Sequence, residues 1–525
     1  MSGVGNSSSA TEAFLPSISD KKHQWTIYTD EEALVQYPAI SFLHGNRPFR
    51  DLPFCLLFLL FVISTFAFGI FAFVNHNTYF NHVSSFFFDP TTSSCILNPS
   101  SGSVTLNFTA SSSFLKRDLI ATFTVTLVFA FLIALGVLWL LKYYAKHIVY
   151  TCLPFFVLIP AFCGVYWFVT CTLKEQCSHA FPLIYRILIL LFVFLLIGII
   201  IWIIVANMHR LELTIKIIQV ASTALAHNLW LLVVIVLLTL GLLLYFVPIV
   251  GFLVFAQRNG EVLPKDEDGE YYCAWKQDSW VPAYFALGIL TMLWSLASLL
   301  EAQVYVISGT IAQWYFTPEG DNPKGCITTS LRHAFGPSAG TICFSGLFMF
   351  IVRIVRSIVD RQHGSSGIVN LIIKWFANFV LSTIDFVNKF TINFAAITGE
   401  AYCNSAKMTY ELLKRNLLSA IFVETVSTRI MAGIVFVVST AYAIVFGSDL
   451  GVDSYFVALL AWLVLITVLG FIVHVLDNVI DTIYVCYAID KDKREVSKPD
   501  VHEIYVLLPI SRTDRSSLSR TPMGV

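Results

Sequence analysis

Nine uninterrupted apolar runs, each of about 20 residues, decide what this chain can fold into. They lie at residues 53–75, 119–141, 148–169, 183–206, 229–255, 281–307, 341–359, 430–446 and 455–476. As α-helices they have the length that crosses ~30 Å of hydrocarbon. In lipid a backbone must satisfy its own N–H and C=O groups, so helices are the economical way to use such runs. The rest of the composition agrees. Hydrophobic residues make up 57% of the 525 and charged residues 13%, about half the charged share of an ordinary globular protein. The 45 phenylalanines suit lipid-facing surfaces. A formal net charge of −1 gives no reason to expect nucleic acid as a partner. The sequence therefore predicts an all-α, polytopic membrane protein whose constant partners are membrane lipids.

The polar segments suggest an orientation. Residues 1–50 lack the apolar core of a cleavable signal peptide and read as a cytosolic tail, with Arg47 and Arg50 next to the first run, as the positive-inside bias expects. Residues 76–117 then form an outer loop, in which Asn107-Phe108-Thr109 is a glycosylation sequon. The lysines at 142 and 146 mark an inner turn, and residues 208–228 read as an inner loop. The acidic segment 258–280 returns outside. Cys95, Cys177 and Cys273 all fall in outer segments and offer a disulfide, without a preferred pair. The eleven cysteines show no CxxC pair and no zinc spacing, so no metal and no cofactor is expected.

The stretch 294–356 differs from a plain anchor. Trp294, Ser298, Glu301 and Tyr305 recur at spacings that align them on one helix face. A glutamate among apolar residues is costly in hydrocarbon, so Glu301 should face protein or water. Gly309, Gly336, Pro337, Ser338 and Gly340 then interrupt the pattern. Such breaks occur at membrane depth where neighbouring protein or a wet cavity satisfies the backbone. The pentad Gly336–Gly340 also fits G-x-S-x-G, the nucleophile elbow of hydrolases. That elbow requires a buried strand before it and its histidine after it. Here a polar insert and His333 precede the pentad and a membrane helix follows, so the glycines are better explained by close helix packing. No enzymatic activity is expected.

Further on, Lys374, Asn378, Ser382, Asp385, Lys389 and Asn393 form one polar stripe at steps of three and four. Two readings fit: a helix lying flat in the interface, or a crossing helix that turns its stripe towards a water-filled path. Nine crossings would leave the C-terminus outside, yet Lys491, Lys493, Arg494 and Lys498 follow the last run. A further crossing within 371–412 resolves this, giving about ten transmembrane helices with both termini cytosolic. In the last run and its continuation, Asp477 and Asp481 are four apart and share a face with Tyr484.

Four blocks resemble the choline transporter-like family: ISGTIAQWYF (307–316), SLRHAFGPSAGTICFSGL (330–347), GEAYCNSAKMTYELLKRNLL (399–418) and NVIDTIYVCYAIDKD (478–492). The order of one span, a glycosylated outer loop and then the remaining spans is similar too. The resemblance implies a ten-span carrier of choline and related amino alcohols such as ethanolamine, in some members exchanged against protons, in the plasma membrane or an endomembrane. Choline is a quaternary ammonium without an N–H donor, so it needs aromatic faces and nearby negative charge. On that reading the candidates for binding or coupling are Asp481 first, then Glu301, Asp477 and Glu400, with the rings of Trp294, Tyr305, Trp314 and Tyr315. For each ring the alternative is packing or an interfacial belt. For the aspartates it is a position at headgroup level. The domain plan is a tail at 1–50, a transporter domain at 51–489 that includes an amphipathic region at 361–416, and a tail at 490–525. The rival function is a non-transporting scaffold or trafficking factor that affects lipid or vesicle homeostasis.

Overall fold

The computed structural model describes residues 47–506, apart from 91, 98–112, 174–176, 178–181, 207, 268–269, 319–324, 362–367, 448–453 and 494. The sequon at Asn107, most of the expected N-terminal tail and the C-terminal residues beyond 506 lie outside the described residues.

Helices dominate: α1 (Leu52–Val74), α2 (Ser113–Leu173), α3 (Leu183–Ala206), α4 (Met208–His227), α5 (Trp230–Ala256), α6 (Val281–Phe316), α7 (Cys326–Ala334), α8 (Ala339–Arg361), α9 (Ile368–Thr398), α10 (Tyr402–Gly447), α11 (Ser454–Lys493) and α12 (Pro499–Tyr505). Eight of the described helices are long and apolar enough to cross a membrane. The protein is thus a multi-pass α-helical membrane protein. Leu56, Leu60, Ile63 and Phe68 on α1, and Ile184, Leu188, Leu191 and Trp202 on α3, are exposed, which is where lipid-facing side chains belong.

Two helices have a stretch that is buried on every side. Residues 301–313 of α6 and 475–490 of α11 are enclosed by their neighbours, as a helix at the centre of a bundle is. α6 packs on α8, α9 and α11, and α11 packs on α10 and α2. Both outrun the apolar runs that announce them. The run ending at 307 continues as helix to Phe316, and the run ending at 476 continues to Lys493. That extension draws Asp477 and Asp481 into the middle of a helix.

Two segments depart from the sequence reading. Residues 208–227, which the sequence does not announce as a helix, form α4, whose Ile217, Ile218, Ala221, Ser222, Ala224 and Leu225 are fully buried. Its polar side grips α2, where Gln219 donates to the Lys142 carbonyl at 3.2 Å and Glu212 pairs with Lys146 at 3.3 Å. The expected turn at 142–146 is a bend at Tyr144, which leaves helical dihedrals (φ −127°, ψ 27°) inside α2. At 1.5 Å per residue the stretch Phe123–Leu173 is ~77 Å long, more than twice the hydrocarbon thickness. The bend divides it.

Outside the bundle, two antiparallel hairpins pair β1 (Phe86–Asp89) with β2 (Ser94–Leu97) and β3 (Gly260–Glu267) with β4 (Glu270–Gln277). A disulfide joins Cys95 on β2 to Cys273 on β4, and Phe88 stacks on Tyr271 at 4.9 Å. Cys177, the third cysteine considered, pairs with Cys171.

Candidate functional site

The polar stripe of α9 meets protein along its length. Near one end Lys374 pairs with Asp360 at 3.8 Å, and one turn on Asn378 donates to Asp360 at 3.3 Å. Arg356 of α8 then clasps Asp385 at 2.6 Å. At the centre of the bundle the stripe positions Lys389 and Asn393, with the adjacent Asn388, meet four helices. Asn388 donates through Nδ2 to Oε1 of Glu301 on α6, at 3.1 Å. Its own Oδ1 accepts from Ser345 of α8 at 3.0 Å and from the Tyr402 hydroxyl of α10 at 2.7 Å. Lys389 donates to Oδ2 of Asp477 at 2.6 Å and forms an ion pair with Asp481, both on α11. Asn393 accepts from Ser308 of α6 at 2.6 Å, and Thr482 donates to the Ser308 hydroxyl at 3.1 Å. This polar side of α9 is a seam that joins it to α6, α8, α10 and α11.

The electrostatics of this seam are unusual for the interior of a helix bundle. Glu301 and Asp477 are 7% and 8% exposed and Asp481 is 0% exposed, so all three carboxylates are enclosed by protein. Asp477 is also steadied by Thr428 of α10, whose hydroxyl donates to Oδ1 at 2.7 Å. Taking charges out of water costs several kcal/mol per ion and is offset only by close, hydrogen-bonded partners. Here two carboxylates gather about the Lys389 ammonium, while Glu301 rests on the Asn388 amide with Arg353 within electrostatic reach.

A second polar cluster closes the helix breaks. Arg47 is 6% exposed and donates to the Tyr305 hydroxyl at 2.7 Å and to the carbonyls of Ala396 and Ile397 at 2.9 and 3.3 Å, at the end of α9. The Tyr305 hydroxyl also shares a hydrogen with Ser338 at 2.8 Å. Asp51 sits at φ 51°, in the left-handed region that aspartate tolerates. Its carboxylate is fixed by the Tyr402 backbone N–H and by the Thr341 hydroxyl, both at 2.8 Å. Glycines make room for this segment. A Cβ on Gly340 would collide with the carbonyl oxygens of Arg50 and Asp51, and Gly399 (φ +71°) lies against the Arg47 side chain. The pentad around Ser338 is therefore preceded by helix α7 and packed by the N-terminal segment, an environment unlike a hydrolase elbow. Glu400 is half-buried, paired with Arg50 at 3.4 Å.

The aromatic candidates disperse. Trp294 donates to the Cys343 carbonyl at 3.1 Å and takes Phe58 and Phe61 edge-on, at the contact of α1, α6 and α8. Trp314 stacks near His227 and lies under the Lys498 ammonium at 5.6 Å. The Tyr315 hydroxyl donates to Asp490 at 3.0 Å. Both therefore serve the contact with the C-terminal segment, about 20 Å along α6 from Glu301. Closer to the carboxylates in the fold is Tyr402, bonded to Asn388, while Phe390, next to Lys389 in sequence, is edge-on to Tyr484 at 6.1 Å. Gly309 is explained by packing, since a Cβ there would lie 2.8 Å from the Ser330 hydroxyl. Gly336 and Pro337 belong to the break itself, where the Pro337 carbonyl accepts from the Arg50 N–H at 3.1 Å.

Residues 190–492, more than half of the chain, match a family model described as plasma-membrane choline transporter. Among curated relatives, a CTL-like protein of Dictyostelium discoideum is 27% identical over 232 residues, 41% of each chain. Choline transporter-like protein 2 of the same organism is 23% identical over 325 residues, 57% of this chain and 50% of the relative. Choline transporter-like 2 of Anopheles gambiae is 25% identical over 234 residues, 41% of this chain and 29% of the relative. The match spans about two fifths of the length of the first of these relatives.

Proposed function

This chain belongs to the choline transporter-like family, and on that footing we propose that it carries choline and related amino alcohols, ethanolamine among them, across the membrane in exchange for protons. The observation that supports this most is the buried pair Asp477 and Asp481 with a single ammonium, Lys389, shared between them. Two carboxylates four residues apart on one helix face make a site for a monovalent cation. Asn393, Ser308 and Thr482 supply polar groups for the substrate hydroxyl, one helical turn beyond Lys389. Phe390 and Tyr484 supply ring faces, each worth about 0.5–2 kcal/mol to a desolvated cation. Glu301, held by Asn388, adds negative charge to the same seam.

The breaks at 336–340 and 399–401 are natural pivots for opening this seam. In this reading the disulfide-linked hairpins lie outside, where thiols oxidise. Arg47–Asp51 and the lysines at and just beyond the end of α11 lie on the cytosolic side, with an even number of crossings between them.

Uptake of labelled choline and ethanolamine into proteoliposomes at two external pH values tests the proposal, with Asp481→Asn and Glu301→Gln beside the unmodified protein. Removing one partner of a buried ion pair costs ~3–5 kcal/mol, so Asp481→Asn should lower uptake by about a hundredfold or more. Correctly inserted protein that takes up neither substrate would shift the reading to a scaffold role, in which both substitutions are tolerated.

A further inference from the structure

Lys389 is placed oddly for a residue that only holds helices together. Its ammonium bridges both α11 carboxylates, while the neighbouring Asn388 engages Glu301 through an uncharged amide. An arginine would suit a permanent bridge better, because its planar fork binds carboxylates bidentately and keeps its proton. Lysine is a compact point charge on a flexible stem and is able to give its proton up. It is also partly accessible, at 18% exposure of the side chain, whereas Asp481 is fully enclosed.

We infer that Lys389 is a tethered competitor for the transported cation, holding the Asp477 and Asp481 carboxylates until a substrate ammonium takes them from it. The inference rests on the carrier reading above and assigns its exchange step to one atom. As the substrate cation enters, an N–H bond at Lys389 Nζ breaks. The lysine keeps the electron pair as a neutral amine, and the proton passes to water on the side to which the site is open. One positive charge replaces another between the same two carboxylates, so the charge of the site is unchanged. One cation is bound for each proton released. When substrate leaves, the amine regains a proton and closes on the carboxylates again. Choline, whose quaternary ammonium has no proton to lose, and a lysine that has one are thereby made mutually exclusive occupants.

Other ionisable groups face this site and must be separated from Lys389. On α11 His474 is within electrostatic reach of both Lys389 and Asp477. Tyr505 of α12 is within reach of Asp481. Asp385 lies one turn away on α9 and is paired with Arg356 of α8, and Glu301 approaches from α6 through Asn388. α10 contributes the uncharged Thr428.

The test is calorimetric binding of choline, with tetramethylammonium as a second probe, to the purified full-length protein at pH 6.5 and 8.5. Obligatory loss of one proton makes affinity rise with pH by as much as tenfold per unit. Lys389→Met alone would leave two buried carboxylates facing each other, so the informative variant is Lys389→Met combined with Asp477→Asn. It keeps the charge of the site and has no ammonium to displace. A size-exclusion profile and melting temperature close to those of the unmodified protein establish that it is folded. The expected result is equal affinity at both pH values in the double variant, and at pH 6.5 tighter binding than in the unmodified protein. Binding that is pH-independent in the unmodified protein, or equally pH-dependent in the folded double variant, would overturn the role of Lys389 and leave the carrier reading standing. Failure of either probe to bind to either protein would overturn both.

Discussion

Gly346 of α8 lies against Ser298 of α6, one turn before Glu301, and replacing it by alanine probes how tightly the central helices must approach. A Cβ at this position would overlap the Ser298 hydroxyl and lie 2.7 Å from both its Cα and its backbone N. Relaxed contacts between such atoms are ~3.5–4.0 Å, so α6 and α8 must part by about 1 Å. The obstructing atoms include backbone, and no rotamer change removes them. A buried side chain makes roughly 40–60 contacts of ~0.1–0.2 kcal/mol each, and a gap of 0.5–1 Å forfeits a quarter to a half of each well. Applied to Trp294, whose indole bonds the Cys343 carbonyl across this contact, the loss is about 2–3 kcal/mol, within the usual range for an overpacked core. The assay is the melting temperature of detergent-solubilised protein, followed by loss of the monodisperse size-exclusion peak. Gly241→Ala on α5 is the control. A Cβ there meets nothing within 4 Å, and the better helix former should add about 1 kcal/mol. Gly346→Ala should therefore melt several degrees lower and Gly241→Ala no lower. A Gly346→Ala protein that melts with, or above, the unmodified one refutes the close approach.

Tyr402→Phe removes the 2.7 Å bond that fixes Asn388; it should cost about 1–2 kcal/mol and lower substrate uptake by loosening the partner of Glu301, which thermal shift and transport kinetics read separately. Replacing Cys95 and Cys273 by serine opens a link across 178 residues; the expected loss is ~2–4 kcal/mol, seen as a lower melting temperature that reductant does not lower further. Burial, and then the charges of Arg47 and Arg332, push the His333 imidazole down to about 4. The fold thus favours its neutral form, so this contribution to stability is fully present above a pH of about 6.5, the ordinary value for histidine, and is lost as pH falls from there towards 4. Melting temperatures at pH 7.5 and 5 should differ less in His333→Gln than in the unmodified protein, and an equal difference in both would count against it.

Much of the membrane architecture is readable in the sequence because lipid imposes a simple rule on long apolar runs. The stripe from Lys374 to Asn393 and the shared face of Asp477 and Asp481 are equally visible, since helical period alone aligns them. What periodicity does not reveal is which helix a face meets. Lys389 appeared as one member of a stripe, and nothing in its neighbourhood points to acids 88 and 92 residues further on. α4 escaped notice because its buried face is built from alanine, serine and short aliphatic stretches, and Glu212, Lys216 and Gln219 lower its hydropathy to that of a loop. The aromatic candidates were grouped by closeness in sequence, but α6 is 36 residues long. Along such a rod, Trp314 lies near one end and Glu301 near the middle. The role of Arg47 carried no local signal, because its partners are the end of one distant helix and the middle of another.

That N-terminal contact also has a bearing on synthesis. Arg47 and Asp51 leave the ribosome early, whereas the carbonyls of Ala396 and Ile397 and the N–H of Tyr402 follow 349 to 351 positions later. At ~5–20 residues per second, the segment is made roughly 20–70 s before its acceptors exist. Through that interval α1 is held without the ties that finally seat its first turn. The first turn of α1 can be seated only after the end of α9 and the start of α10 have emerged, so a helix made before them is locked after them.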